Sequence, residues 1–302
     1  MKLSAFTYVR NGFEFNYPFI ESIKSLLPLV DEYIVVVGDS SDGSREAVAQ
    51  LGPKIKIIDT VWDMSLRKGG KLFSTQSNAG LDNISGDWAI HLQADEVLHE
   101  LDLAKLSESI QRNNSDAKVE GLLFPFLNFY GDYDHIHTGR TAHRYEIRAF
   151  KRSPQIRSYR DSQGFRKYPT LDAYEKGIKS EKLNVAKIDV PVFHYSYVRP
   201  PEQMRKKANY FMRFWFDDNI VHNLAAAGGN LYDYNAVDKL ENFLGTHPAI
   251  MNSRISSKDW TFLYNPKKQR VSMRHKLLNY FEKLTGYRLG EYKNYRLVKG
   301  RR

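Results

Sequence analysis

Tyr33-Ile34-Val35-Val36-Val37-Gly38-Asp39-Ser40-Ser41-Asp42-Gly43-Ser44 is the stretch whose reading decides the fold. Its first five residues are apolar throughout and mostly β-branched, the pattern of a parallel strand buried on both faces. A polar loop follows at once, then Arg45 to Leu51 with Gly52 as a stop, so the unit reads strand, loop, short helix. Upstream, Leu3 to Val9 predicts a strand that ends in the turn Arg10-Asn11-Gly12. Phe19, Ile20, Ile23, Leu26, Leu27 and Val30 then recur at helical spacing. Downstream, Ile55 to Val61 predicts a strand, Phe73 to Leu81 a helix, Trp88 to Leu92 a second buried strand and Leu101 to Ile110 a helix. This alternation predicts the α/β class, an open, mostly parallel sheet flanked by helices.

From Gly121 the pattern changes. Leu122 to Tyr130, Tyr145 to Phe150 and Val190 to Tyr195 read as strands, residues 151–190 as loop-rich and polar, and Glu202 to Asn219 as a helix. The expected division is a main domain over 1–197 and a mainly helical, basic C-terminal extension over 198–302.

Charge is unevenly spread. The 302-residue chain carries a net +10, and all of that excess lies in 267–302, where twelve Lys and Arg face only Glu282 and Glu291. Leu277, Leu278, Phe281, Leu284, Tyr287 and Leu289 are interleaved with those cations, which suits an anionic partner such as a lipid surface. The remaining body is neutral, so no nucleic-acid partner is expected. The chain has no cysteine, hence no disulfide framework and no thiolate ligand or nucleophile. No apolar run reaches the roughly 18–20 residues of a membrane span, and Met1 to Arg10 lacks the pattern of a secretory leader.

Sheets of this class bind ligands at the carboxyl ends of their strands, where both acidic loops, 38–44 and 93–96, fall. Asp39, Ser40, Asp42 and Ser44 all make good helix caps, but capping uses one or two of them. Gln93-Ala94-Asp95-Glu96 stands further from the next helix, so capping explains it less well. Carboxylates clustered on one sheet edge suit Mg²⁺ or Mn²⁺ held against a diphosphate. Arg67, Lys68 and Lys71 are cations suited to the same diphosphate, or to plain solvent. Gly69-Gly70-Lys71 lacks the remaining residues of a P-loop, and there is no Gly-x-Gly-x-x-Gly and no His-Glu-x-x-His.

Three segments in order, Ser4 to Asn11, Val35 to Ser44 and Gly86 to Glu96, resemble the family 2 inverting glycosyltransferases, which have the GT-A fold. The resemblance implies a metal-dependent enzyme that moves one sugar from a UDP- or GDP-linked donor to a hydroxyl acceptor, a cell-surface or lipid-linked glycan. It makes 1–197 the nucleotide-sugar-binding catalytic domain, with Thr7, Tyr8, Arg10, Asp39, Asp42, Lys71, Gln93, Ala94 and Asp95 at the donor. Gln93 stands where the family's Asp-x-Asp motif has its first acid, leaving Asp95 as the direct ligand of Mn²⁺ or Mg²⁺, with His194 in the place of the late metal-ligand histidine. Asp161 is the expected catalytic base, with Asp172 and Glu175 as alternatives. The Gln-x-x-Arg-Trp motif of processive synthases is absent, which implies single-sugar, hexosyltransferase-like transfer. A cytoplasmic chain, peripheral at the inner membrane face through 267–302, completes the expectation. The competing readings are a nucleotidyltransferase and a non-catalytic glycan- or lipid-binding protein with a degenerate site.

Overall fold

The structure is a computed structural model that describes residues 1–162, 164–220, 234, 237–265 and 271–298. Four strands, β1 (Leu3–Val9), β2 (Glu32–Val37), β3 (Ile55–Asp59) and β4 (Trp88–His91), lie in the order β3-β2-β1-β4, all parallel. Helices α1 (Phe19–Leu26), α2 (Ser44–Ala49) and α3 (Lys71–Asp82) connect them. Strand alternation sends Val35 and Val37 into one core with Phe19, Ile23 and Leu26 of α1, and Ile34 into another with Phe6 and Leu81 of α3. Burial on both faces is why β2 is apolar without interruption.

Beyond β4 the sheet becomes mixed. β5 (Glu96–Leu98), α4 (Leu103–Asn114), β6 (Gly121–Tyr130), β7 (His135–His137) and β8 (Tyr145–Lys151) follow in the chain. β8 is antiparallel to both β4 and β6. Residues 151–190, expected to be loop-rich, hold more regular structure than that: β9 (Ile156–Tyr159), β10 (Gly164–Lys167), the short α5 (Leu171–Glu175) and β11 (Glu181–Lys187). The reason is chemical. Arg157 and Arg166 are buried in β9 and β10, so positions that face the interior carry charge and hide the apolar alternation.

β12 (Val192–Tyr197) runs parallel to β6 and antiparallel to β5. After it come α6 (Pro201–Met212), β13 (Leu240–Asn242), α7 (Asn252–Ser256), α8 (Met273–Thr285) and β14 (Tyr295–Leu297). The region expected to be mainly helical thus returns to the sheet twice: β13 pairs with β7 and β14 with β11. Tyr295 joins the core of Phe165 and Leu183. The basic residues 267, 268, 270, 299, 301 and 302 lie outside the described residues. Among the described residues no helix is long and apolar enough to cross a membrane.

Candidate functional site

The chain crosses from β3 to β4 on the far side of β1, so the crevice opens outside the carboxyl ends of β1, β2 and β4. A cavity of about 410 Å³ lies there, lined by Tyr8, Arg10, Gln93, Ala94 and Asp95 from the parallel edge and by Asp161 from the β9–β10 turn. Lys207, Tyr210 and Trp215, on and just after α6, cover it.

At the β1 and β2 ends, Asp39 is not a helix cap. Its Oδ2 accepts from Arg10 at 2.8 Å and its Oδ1 from the Trp62 backbone amide at 3.2 Å. Arg10 lies 5.2 Å from the Trp62 ring centroid and donates to Tyr210 Oη at 2.7 Å. Gly38 permits this closeness, since a Cβ there would come within 2.5 Å of Trp62 Nε1. The small polar residues of the loop pin it to the first one: Ser40 accepts from the Asn11 amide and Ser44 from the Gly12 amide. Asp42 does the same work, taking the amides of Glu14 and Ser44 at 2.8 and 3.1 Å. Those bonds outweigh burial and hold its carboxyl below the ordinary value.

The other donor-side residues divide. Tyr8 faces the cavity, 6.4 Å from Phe73 and 6.3 Å from His91 in stacked geometry, and burial raises its phenol. Thr7 is buried in the sheet, paired in register with Val35, and does not line the cavity. Lys71 opens α3 as an exposed residue outside the cavity lining. Arg67 and Lys68 meet Asp218 and Asp217 beyond α6, at 2.7 and 3.1 Å.

At the β4 end, two adjacent acids have opposite fates. Glu96 turns inward to a buried bidentate pair with Arg148 of β8, at 2.7 and 2.6 Å. Asp95 faces the cavity, with His194 Nε2 3.8 Å from Oδ1 and Lys207 Nζ 3.8 Å from Oδ2. Burial pushes the Asp95 carboxyl up, but the His194 ring when protonated, Lys207, Arg199 and a Ser196 hydrogen bond outweigh it and leave it lowered. Gln93 donates to the Ser162 carbonyl at 3.1 Å, which ties this loop to the β9–β10 turn.

Asn128 fixes the tautomer of His194. Its amide nitrogen donates to the His143 carbonyl at 2.7 Å, which turns its Oδ1 toward His194 Nδ1 at 2.9 Å. Nδ1 therefore carries the proton and Nε2 presents a lone pair to Asp95. Burial, against the pull of the Asp95 charge, holds the ring below its ordinary value, which favours the neutral form. A lone pair and a carboxylate facing each other across 3.8 Å is an arrangement that a cation between them would relieve, and the Asn128 bond is the outer-shell support usual for a ligating histidine. Among the described residues there is no group of three or more His, Asp and Glu able to hold a metal. Two protein ligands still fit an ion completed by diphosphate and water.

Asp161 lies at the tip of the β9–β10 hairpin, between Arg160 and Ser162, both at positive φ (54° and 64°). Gly70 makes room for it, since a Cβ there would come within 2.9 Å of Asp161 Cα. Uncommon backbone conformations on both sides of one acid at a cavity wall are a hallmark of functional placement. Asp172 and Glu175 lie instead on the exposed face of α5, with Asp172 paired to Lys176 at 2.8 Å.

Sequence reasoning missed Lys207, Tyr210 and Arg148. Lys207 donates to Ser196 Oγ and O at 2.8 and 3.0 Å, and burial and Arg199 push its ammonium well below the lysine range. Arg199 is fully buried, donates to the Phe15 carbonyl at 2.7 Å, and keeps its Nη2 without a hydrogen bond among the described residues. A larger cavity of about 870 Å³ is lined by Asn128, the partner of His194, with His143, Arg144, Tyr280 and Lys283.

A family model described as "Glycosyl transferase family 2" matches residues 6–183. No curated protein matches the chain in sequence. Among solved structures, TarS of S. aureus is similar at 14% identity and a TM-score of 0.41 over 70% of this chain, which spans only 39% of TarS. A Mycobacterium tuberculosis glucosyl-3-phosphoglycerate synthase, crystallised with Mn²⁺, UDP and phosphoglyceric acid, shares 16% identity, with 72% of this chain and 80% of that one covered and a TM-score of 0.36.

Proposed function

The chain belongs to glycosyl transferase family 2, and from that premise we propose that it transfers one hexose from a UDP- or GDP-linked donor to a hydroxyl of a glycan or lipid-linked acceptor, with Mn²⁺ or Mg²⁺ bound. The observation that carries the reading is the pair Asp95–His194, set 3.8 Å apart at the crevice edge with the imidazole lone pair turned inward.

Asp95 Oδ1 and His194 Nε2 would hold the ion, which when bound neutralises the departing diphosphate. Asp39, Arg10 and Trp62 shape the nucleotide end: a carboxylate braced by Arg10 and the Trp62 amide whose remaining lone pairs can accept from ribose hydroxyls, and a guanidinium beside an indole. Lys207 and Arg199 supply donors from the α6 side. The anomeric carbon's bond to the diphosphate oxygen breaks as the acceptor oxygen attacks from the opposite face, and the acceptor's proton passes to Asp161. Asp42 and Lys71 serve this site indirectly, the first by bracing the nucleotide loop and the second as a solvent-facing cation near its rim. The cytoplasmic side of a membrane is the proposed workplace, because the basic tail matches anionic lipid.

The test is release of nucleoside diphosphate from a panel of UDP- and GDP-sugars with Mn²⁺, Mg²⁺ or chelator present. At least one sugar should be consumed faster with metal than with chelator. If none binds or turns over, with or without metal, the reading fails.

A further inference from the structure

Helix α8 sits on the body the wrong way round for a core helix. Its body-facing side is mostly polar: Glu282 pairs with Arg140 and Arg288, at 2.8 and 2.9 Å. Arg288 also reaches the Thr138 and Gly139 carbonyls, and Arg140 the Leu278 carbonyl. Both arginine side chains are under a tenth exposed, so this ionic seam is packed rather than solvent-bathed. Apart from the half-buried Leu278, the apolar residues are on the opposite side. Met273, Leu277, Tyr280, Phe281 and Leu284 recur at i, i+4, i+7, i+8 and i+11, one stripe of a helix, and each is between 40 and 70% exposed. None of the helix's residues is buried.

An apolar stripe on an outer face is costly in water and marks a contact. Its neighbours name the partner. Exposed Arg274 flanks the stripe on one side, exposed Lys276 and Lys283 on the other, and the only acid of the helix is spent on the inner seam. We propose that α8 docks this protein on an anionic lipid bilayer, the stripe entering the headgroup–acyl boundary and the flanking cations meeting lipid charge. Each such cation near the surface raises partitioning about fivefold, so the three together give roughly a hundredfold preference for anionic over neutral lipid. The twelve cations of 267–302 leave the tail no comparable affinity for a basic surface.

Docking would also orient the site. Tyr280 and Lys283, at one margin of the stripe, also line the large cavity, as does Asn128, the partner of His194. A lipid-linked acceptor entering from the membrane would thus reach the groove next to the proposed metal pair. That last link rests on the transferase reading; the docking does not.

The test is co-sedimentation of the full chain with vesicles of phosphatidylcholine alone or with about 30% phosphatidylglycerol, at about 0.05 M and about 0.5 M salt. Binding to the anionic vesicles at low salt is expected, falling about a hundredfold on neutral vesicles and strongly in high salt. The double variant Leu277→Asp, Phe281→Asp changes two exposed side chains, so its melting should match the parent while vesicle binding drops at least tenfold. Three results overturn the proposal: a full chain that stays in solution with anionic vesicles at low salt, a double variant that binds as well as the parent, or a dimer in solution that the double variant splits. The last would mean that a second copy covers the stripe. No nucleotide sugar is needed, so failure here leaves the transferase reading standing, and the reverse holds too.

Discussion

The parallel edge and the hairpin-and-helix side face each other across one cavity, but they hold their chemistry by different means. On the edge, Asp39 and Asp95 stand two and four residues after the ends of buried strands, so β-sheet register places the start of their loops and a few loop hydrogen bonds do the rest. Across the cavity, Asp161 depends on two residues at positive φ, and Lys207 on burial of a helix face against Tyr17 and Ser196. The edge brings acids and the far side brings cations and the proposed base. Changes to the edge should therefore cost donor binding or stability, and changes to the far side should cost turnover while the fold survives.

The largest expected effect probes how firmly the edge is anchored. Glu96→Ala strands Arg148 as a buried, unpaired cation and should destabilise the chain by about 3–5 kcal/mol, read by urea unfolding. A loss under about 1 kcal/mol would mean that the β4 loop is held by something other than this pair. Asp161→Asn probes the opposite side: turnover should fall roughly 100-fold or more with donor affinity little changed. If donor affinity falls in step with turnover, Asp161 belongs to the donor site and the contrast between the two sides is wrong.

Asp39→Ala returns to the edge. Loss of a charged acceptor should weaken nucleotide binding by about 1–3 kcal/mol, equally with and without metal. Unchanged affinity in calorimetry would reduce Asp39 to a brace for Arg10. The smallest effect is a pH slope under the edge. His91, buried at the end of β4 between Phe6 and Phe165, is pushed down to about 3 by burial and the Arg148 charge. The unfolded chain takes up that proton near pH 6.5, so it binds more protons than the folded chain between the two values. Stability then falls as pH drops through that window, by at most about 1.4 kcal/mol per pH unit from this residue. His91→Phe should flatten the slope between about pH 6.5 and about pH 5. A slope equal to the parent's would assign it to other groups.

The contrast also explains what could be read from the residues alone. Asp39 and Asp95 are legible because each follows a short, mostly apolar buried strand, and His194 because it sits within the apolar run of β12. Lys207 is not, since a lysine on an amphipathic helix looks solvated until tertiary packing buries it under aromatic rings. The strands β9 and β10 hide behind buried arginines, and the Glu96–Arg148 pair joins residues 52 positions apart with nothing local to announce it. Asp161 shows its loop but not its strain, because positive φ at arginine and serine follows from no propensity. The apolar residues of α8 are visible in the sequence, but their outward orientation is a property of the Glu282 seam.

The central claim is that Asp95 and His194 together hold a divalent ion against the donor's diphosphate. Calorimetric titration of UDP and GDP, with and without Mn²⁺, on the parent chain and on Asp95→Ala and His194→Ala tests it most directly. Mn²⁺ should tighten nucleotide binding by at least about tenfold, or about 1.4 kcal/mol, in the parent, and each variant should lose that gain while keeping the metal-free affinity. Undiminished Mn²⁺ dependence in either variant would contradict the account.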